Sequence, residues 1–228
     1  MTSRGQSSFT ALPAFAAILY TKLTQTRGIE AQQREIASDL ASRLRQGRLL
    51  DVGTGPGSLL VEIHRLNPAL ELFGLDVSRS MVDLARKRLN GLAVEVRHCD
   101  VRNSGFPDGF FDLVTCTGSL YLWDFPVECL DEIFRILKPL RSGIFFETYK
   151  DCDHLEVRDA IKSNLKAENR ILQLLAPRFF AKQLRMTYTA DELGEIINHT
   201  RFAPTHSTEP IRLAGVPAWL RITVTKRG

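Results

Sequence analysis

The chain of 228 residues has no apolar run approaching the roughly 20 residues that cross a bilayer as a helix, so no membrane span is expected. It has only four cysteines, Cys99, Cys116, Cys129 and Cys152, with neither a C-x-x-C pair nor zinc-ligand spacing among them. That leaves no case for a metal centre, and it points to reduced thiols in a cytoplasmic protein. Acid is missing at one end: nothing before Glu30 is acidic, while Arg4, Lys22 and Arg27 are basic and Ala11–Leu19 is apolar. Such a composition faintly resembles a targeting peptide. Pro13 interrupts the apolar run and the basic start is weak, so a structural N-terminal helix is expected instead. Strong charge of one sign is lacking too. Thirty Lys and Arg against 26 Asp and Glu give a net +4, which permits an anionic substrate or weak nucleic-acid contact and requires neither.

The most informative stretch is Leu49-Leu50-Asp51-Val52-Gly53-Thr54-Gly55-Pro56-Gly57-Ser58-Leu59-Leu60. A short apolar strand runs into three alternate glycines and then into an apolar-periodic helix carrying Leu59, Leu60 and Ile63. Glycine lets the chain reverse and lets a ligand lie against bare backbone. The helix behind it presents unpaired N–H groups and the positive end of its dipole. A dinucleotide fingerprint would place its third small residue three positions after the second glycine. Here the third glycine follows Gly55 by two, and position 58 is serine.

A second strand, Glu71–Asp76, ends in an acid 23 residues after Gly53, at the distance where a carboxylate meets a ribose diol. That placement suits NAD and S-adenosylmethionine equally. A third strand, Val94–Cys99, ends in Asp100-Val101. The turn Phe106-Pro107-Asp108-Gly109 leads into a fourth strand, Phe110-Phe111-Asp112-Leu113-Val114. An amphipathic helix with Leu130, Ile133, Phe134 and Leu137 precedes a fifth strand, Ile144–Thr148. A long helix over 154–175, a capped helix from Thr189 and Glu192, and strands near Thr205–Leu213 and Trp219–Lys226 complete the chain. Before the first strand, helices are expected over 14–26 and 30–46, after a loose polar stretch at 1–10.

The pattern Asp51-x-Gly53-x-Gly55-x-Gly57 resembles the first motif of the class I, Rossmann-like S-adenosylmethionine-dependent methyltransferases. Asp100, the Phe-Pro-Asp-Gly turn and the segment Leu130–Pro139 resemble the small-molecule methyltransferases of ubiquinone biosynthesis. That family's usual Lys-Pro-Gly-Gly is replaced by Lys138-Pro139-Leu140-Arg141-Ser142-Gly143, read as a lengthened turn. The resemblance covers about residues 48–150. It implies a doubly wound α/β fold: a seven-stranded, mostly parallel sheet of order 3-2-1-4-5-7-6, strand 7 antiparallel, with helices on both faces and an added helical cap. Residues 1–47 would form a helical lid, and residues 48–228 the methyltransferase domain with a helical insertion at about 150–188. It further implies S-adenosylmethionine as cofactor. Asp51, Gly53, Thr54, Gly55 and Gly57 would hold its methionine portion, Asp76 and Val77 its ribose, Asp100 and Val101 its adenine, with Thr117 nearby. Tyr20 stands where related enzymes often carry a tyrosine near the cofactor.

The acceptor side offers Tyr121, Trp123, Glu147, Tyr149 and His154, just beyond strands four and five, with Tyr121 and His154 as catalytic candidates. Each aromatic has packing as its bland alternative. Thr117-Gly118-Ser119-Leu120 stands where the Asn/Asp-Pro-Pro-aromatic motif of DNA and glutamine methyltransferases would lie, which argues against those acceptors. Arg158, Lys162, Lys166 and Arg170 recur at i, i+4, either as a solvated face or as a ridge for an anionic small molecule. RNA is disfavoured because no aromatics interleave with them. The expected function is methyl transfer to a small molecule, with a non-catalytic cofactor-binding protein or an NAD(P)-dependent oxidoreductase as alternatives.

Overall fold

The computed structural model describes residues 26–228. Positions 1–10, residues 14–25 of the first expected helix, and Tyr20 lie outside them. The first described helix, α1 (Arg27–Arg43), starts at Thr26, whose hydroxyl accepts from the Ile29 N–H, and buries Ile36, Ala37 and Leu40. Next come β1 (Gly47–Val52), α2 (Ser58–Leu66), β2 (Leu70–Asp76), α3 (Arg79–Arg88), β3 (Val94–His98) and β4 (Phe111–Thr117). They are followed by α4 (Pro126–Ile136), β5 (Leu137–Thr148), α5 (His154–Asn164), α6 (Arg170–Met186), α7 (Ala190–Asn198), β6 (His206–Leu213) and β7 (Val216–Thr225).

The seven strands form one sheet of order β3-β2-β1-β4-β5-β7-β6. β1 through β5 pair in parallel, and β7 runs antiparallel to both β5 and β6. The inner strands read as continuous apolar runs because both of their faces are covered. On one face Ile36, Leu40, Leu60, Ile63, Val82 and Ala85 of α1, α2 and α3 pack on Leu49 and Leu72. On the other, Leu130, Ile133, Leu193 and Ile197 of α4 and α7 pack on Leu50, Val114 and Phe145. A third, smaller cluster joins Val157 of α5 and Leu184 of α6 to Val216 and Ala218 of β7. It seats the α5–α6 pair beside the sheet.

Two elements differ from the sequence expectation. The helix expected over 154–175 is two helices, divided at Asn169, whose side chain accepts from the Leu172 N–H and so starts α6. Lys166 falls in the connection, so the basic residues do not share one helical ridge. The segment Lys138–Gly143 is part of β5 rather than a turn. It holds to the sheet through Leu140 N–H on Lys226 O, and Leu140 bulges at φ 60°. The Thr189–Glu192 capping box of α7 is present as expected.

Candidate active site

Strands β1, β2, β4 and β5 all end at one edge of the sheet, where ligands of open α/β folds bind. The loop after β1 is fixed there by three successive amides. Gly53 and Thr54 donate to Leu75 O at 2.8 and 2.9 Å, and Gly55 donates to Asp76 Oδ2 at 2.8 Å. Gly53 and Gly55 both have positive φ, which glycine adopts without strain. A Cβ on Gly53 would collide with the Ser119 hydroxyl, whereas a Cβ on Gly55 would meet nothing within 4 Å. Bare backbone at Gly55 therefore faces open space.

That space is a cavity of about 530 Å³, adjoined by a smaller one of about 100 Å³; Gly53, Gly55, Thr117 and Gly118 line both. The small cavity has apolar walls from Met81, Val101, Leu122 and Trp123, with Asp76 and Val77 at its side. Asp76 Oδ1 accepts from the Ser78 N–H at 2.8 Å, so this carboxylate ties the glycine loop to the start of α3. Burial raises its pKa, and the two N–H bonds oppose that rise. An ionised carboxylate has about four acceptor sites, so two remain for a diol.

Asp51 and Thr54 line the large cavity. Asp51 is 2 % exposed and its Oδ1 has no hydrogen-bond partner. Burial raises its carboxyl to about 7, the neighbouring Thr54 hydroxyl opposes this in part, and Asp76 adds a further push upward. A buried carboxylate oxygen without a partner calls for a cation or donor from a ligand. Buried and likewise unpartnered are the Thr117 and Thr148 hydroxyls and Gln183 Oε1, all lining the same cavity. Helix α2 begins at Gly57 with no side-chain cap and no acid in its first turn, and Pro56 and Ser58 line the cavity beside it. Its first N–H groups and dipole favour negative charge.

The structure separates the expected residues into two groups. Asp51, Gly53, Thr54, Gly55, Asp76, Val77, Val101 and Thr117 come together around the two cavities. Gly57 and Asp100 do not line them. Gly57 makes the left-handed start of α2, and a Cβ there would press on Leu89 and Ala85 of the α3 region. The Asp100 carboxylate accepts the Arg102 N–H and is clasped by the Arg102 guanidinium at 2.7 to 3.2 Å.

The acceptor-side candidates divide in the same way. Tyr121 is buried among core residues and lines neither cavity, so its ring is a packing element. Trp123 belongs to the small cavity rather than the acceptor side. Glu147 is buried under the loop after β4, where Oε1 accepts from the Ser119 and Leu120 N–H groups at 3.1 Å. Burial brings its carboxyl to about 7, against the pull of those donors. Tyr149 packs between two core clusters. His154 alone of the five lines the large cavity, with Nε2 2.8 Å from Lys150 O. A carbonyl only accepts, so Nε2 is the donor in this contact.

Sequence reading missed Trp219, Asn164, Gln183 and Arg185, which complete the large cavity with Gln32 and Gln33 of α1. Trp219 stands opposite Thr148 in the β5–β7 register, and both line the cavity. Of the basic ridge only Arg158 reaches the cavity; Lys162, Lys166 and Arg170 are exposed outside it.

This strand order and this glycine-lined edge define the class I methyltransferase fold. Solved structures of similar fold include a SAM-dependent methyltransferase from Aquifex aeolicus, at 18% identity, covering 91% of this chain and 97% of that one with a TM-score of 0.66. The plantazolicin methyltransferase in complex with S-adenosylhomocysteine aligns at 15% identity over 98% and 94% of the two chains, TM-score 0.68. More specifically, residues 49–140 match the methyltransferase domain family. Over 114 residues the chain is 32% identical to the ubiquinone/menaquinone biosynthesis C-methyltransferase of Desulfotalea psychrophila. That match covers 50% of this chain and 46% of the relative, so the chain spans about half the length of the curated protein it resembles. Residues 49–140 thus match a methyltransferase domain, and among the described residues they lie within a seven-stranded sheet of that fold.

Proposed function

We propose that the protein is an S-adenosylmethionine-dependent methyltransferase acting on a small molecule. One observation carries the reading: a buried, unpartnered Asp51 oxygen beside a bare Gly55 backbone, at the junction of a small apolar cavity and a larger one. The residues fit the cofactor. Asp51 would take its ammonium group, the α2 N-terminus its carboxylate, Asp76 its ribose hydroxyls, and the walls at Met81, Val101, Leu122 and Trp123 its flat base. When bound, the cofactor supplies a methyl group activated by a positively charged sulfur.

The chain's part is placement and exclusion of water. Helices α1, α5 and α6 and Trp219 wall the large cavity on the acceptor side; α1 and the 150–188 insertion serve as its lid. Apolar Ile36, Val157, Ile161, Phe180 and Leu184 exclude water from it. His154, in the lining, is the candidate base for an acceptor that loses a proton as it attacks. Among the described residues Asp51 is the one acid in the lining, while Arg158 and Arg185 both reach it. The acceptor is therefore apolar in body and anionic at one end. The test is calorimetry with S-adenosylmethionine and with NADH, followed by turnover to S-adenosylhomocysteine in a metabolite extract. Binding of NADH in preference to S-adenosylmethionine would overturn the reading, as would tight binding without turnover for any extract fraction.

A further inference from the structure

Helix α6 has two faces of opposite character. Its inner side carries Ala176, Phe180 and Leu184, which are buried or line the large cavity. The outer side carries Ile171, Leu174 and Leu175, which are 69 %, 58 % and 44 % exposed. Arg178 and Lys182 continue the same stripe, since positions 171, 174, 175, 178 and 182 follow the i, i+3, i+4, i+7 recurrence of one helical face; Arg185 reaches the cavity instead. Helix α6 contains no Asp or Glu. Three large aliphatic side chains in water are a cost that an isolated surface helix avoids, and they are followed at once by cations without intervening acids.

We propose that this face docks the protein peripherally on an anionic lipid surface. The aliphatic half of the helix would enter the boundary between headgroups and acyl chains, and the cationic half would lie against lipid phosphates. Charge decides between possible occupants: a second copy of the chain would bring the same cations against one another, whereas an anionic bilayer complements them. The docked helix is also a wall of the apolar cavity, so a lipid-borne acceptor would reach the site without crossing water. The docking stands apart from the proposed chemistry, because it concerns the opposite face of the helix and needs no cofactor.

The experiment is co-sedimentation of the full chain with vesicles of phosphatidylcholine alone and of phosphatidylcholine mixed with phosphatidylglycerol. Binding is expected to the mixed vesicles, weakening as salt rises. Replacing Arg178 and Lys182 by glutamine should weaken it on the order of thirtyfold, from the usual contribution of a cation at a charged membrane. Ile171→Gln, Leu174→Gln and Leu175→Gln together should abolish it; all three sites are exposed, so the melting temperature should hold. Equal binding to both vesicle types would overturn the proposal, as would wild-type protein left in the supernatant. Unaltered binding by the two variants would place the contact elsewhere. Concentration-dependent dimers that dissolve in the triple variant would mean that a second copy covers the face.

Discussion

Replacing Asp51 by asparagine separates the cost of the buried carboxyl from its use. In the folded protein its pKa rises from 3.8 to about 7, chiefly through burial. Between about pH 4 and 7 the folded state therefore holds a proton that the unfolded state has released. Stability rises with pH where the unfolded state binds more protons; here the folded state binds more, so stability falls as pH climbs through that window. A difference of about three units at 1.36 kcal/mol each gives about 4 kcal/mol lost by pH 8. Glu147, also raised to about 7, adds a fall over the same range, but it remains in Asp51→Asn and cancels in the comparison. Urea unfolding at pH 5 and pH 8 should thus show a smaller loss with pH in the variant, whatever the absolute effect of an amide at that site. Ligand binding should run the other way. If the ionised form meets the cofactor's ammonium, ionised Asp51 grows from about a tenth to about nine tenths between pH 6 and 8, and wild-type affinity should tighten about tenfold. The variant should bind weakly at both. Identical pH slopes for the two proteins, with wild-type affinity flat across pH, would refute the assignment of Asp51.

Asp76→Ala removes the acceptor of the Gly55 and Ser78 amides as well as the proposed ribose partner. Charge-assisted bonds are worth about 1.5–3 kcal/mol, so at least tenfold weaker cofactor binding is expected by calorimetry. A lower melting temperature should accompany it; affinity within twofold of wild type would remove Asp76 from the site. Gly55→Val places a branched side chain at φ 53°, in the open space of the cavity, and should abolish binding while circular dichroism still reports a fold. Arg158→Gln with Arg185→Gln should raise KM for an anionic acceptor at unchanged cofactor affinity, whereas glutamine at Lys162, Lys166 and Arg170 should leave KM unchanged. Equal effects of the two sets in a steady-state assay would mean that the charge acts at long range and not through the cavity wall.

The sequence by itself determined the sheet and the cofactor edge, because the information is local there. Alternating glycines after an apolar strand permit the positive φ that Gly53 and Gly55 adopt, and the acid that ends β2 accepts from that loop at the Gly55 N–H. The strand order β3-β2-β1-β4-β5-β7-β6 is the one the motif resemblance implies; right-handed β–α crossovers fix only which face of the sheet each connecting helix covers. Only the tertiary structure decided where side chains beyond the strand ends face. Tyr121 and Glu147 stand as near the edge in sequence as Thr117 does, yet they turn into the core and under the β4 loop. Asp100 is taken by Arg102 two residues on, a contact that composition does not reveal. The acceptor cavity draws Gln32 from α1, Asn164 from α5, Gln183 and Arg185 from α6 and Trp219 from β7. Those five come from four separate elements and share no motif, and the α5, α6 and β7 members meet because these elements pack together through Val157, Leu184, Val216 and Ala218. An apolar contact of that kind is set by shape and burial, which a sequence records only as hydrophobic residues at helical spacing.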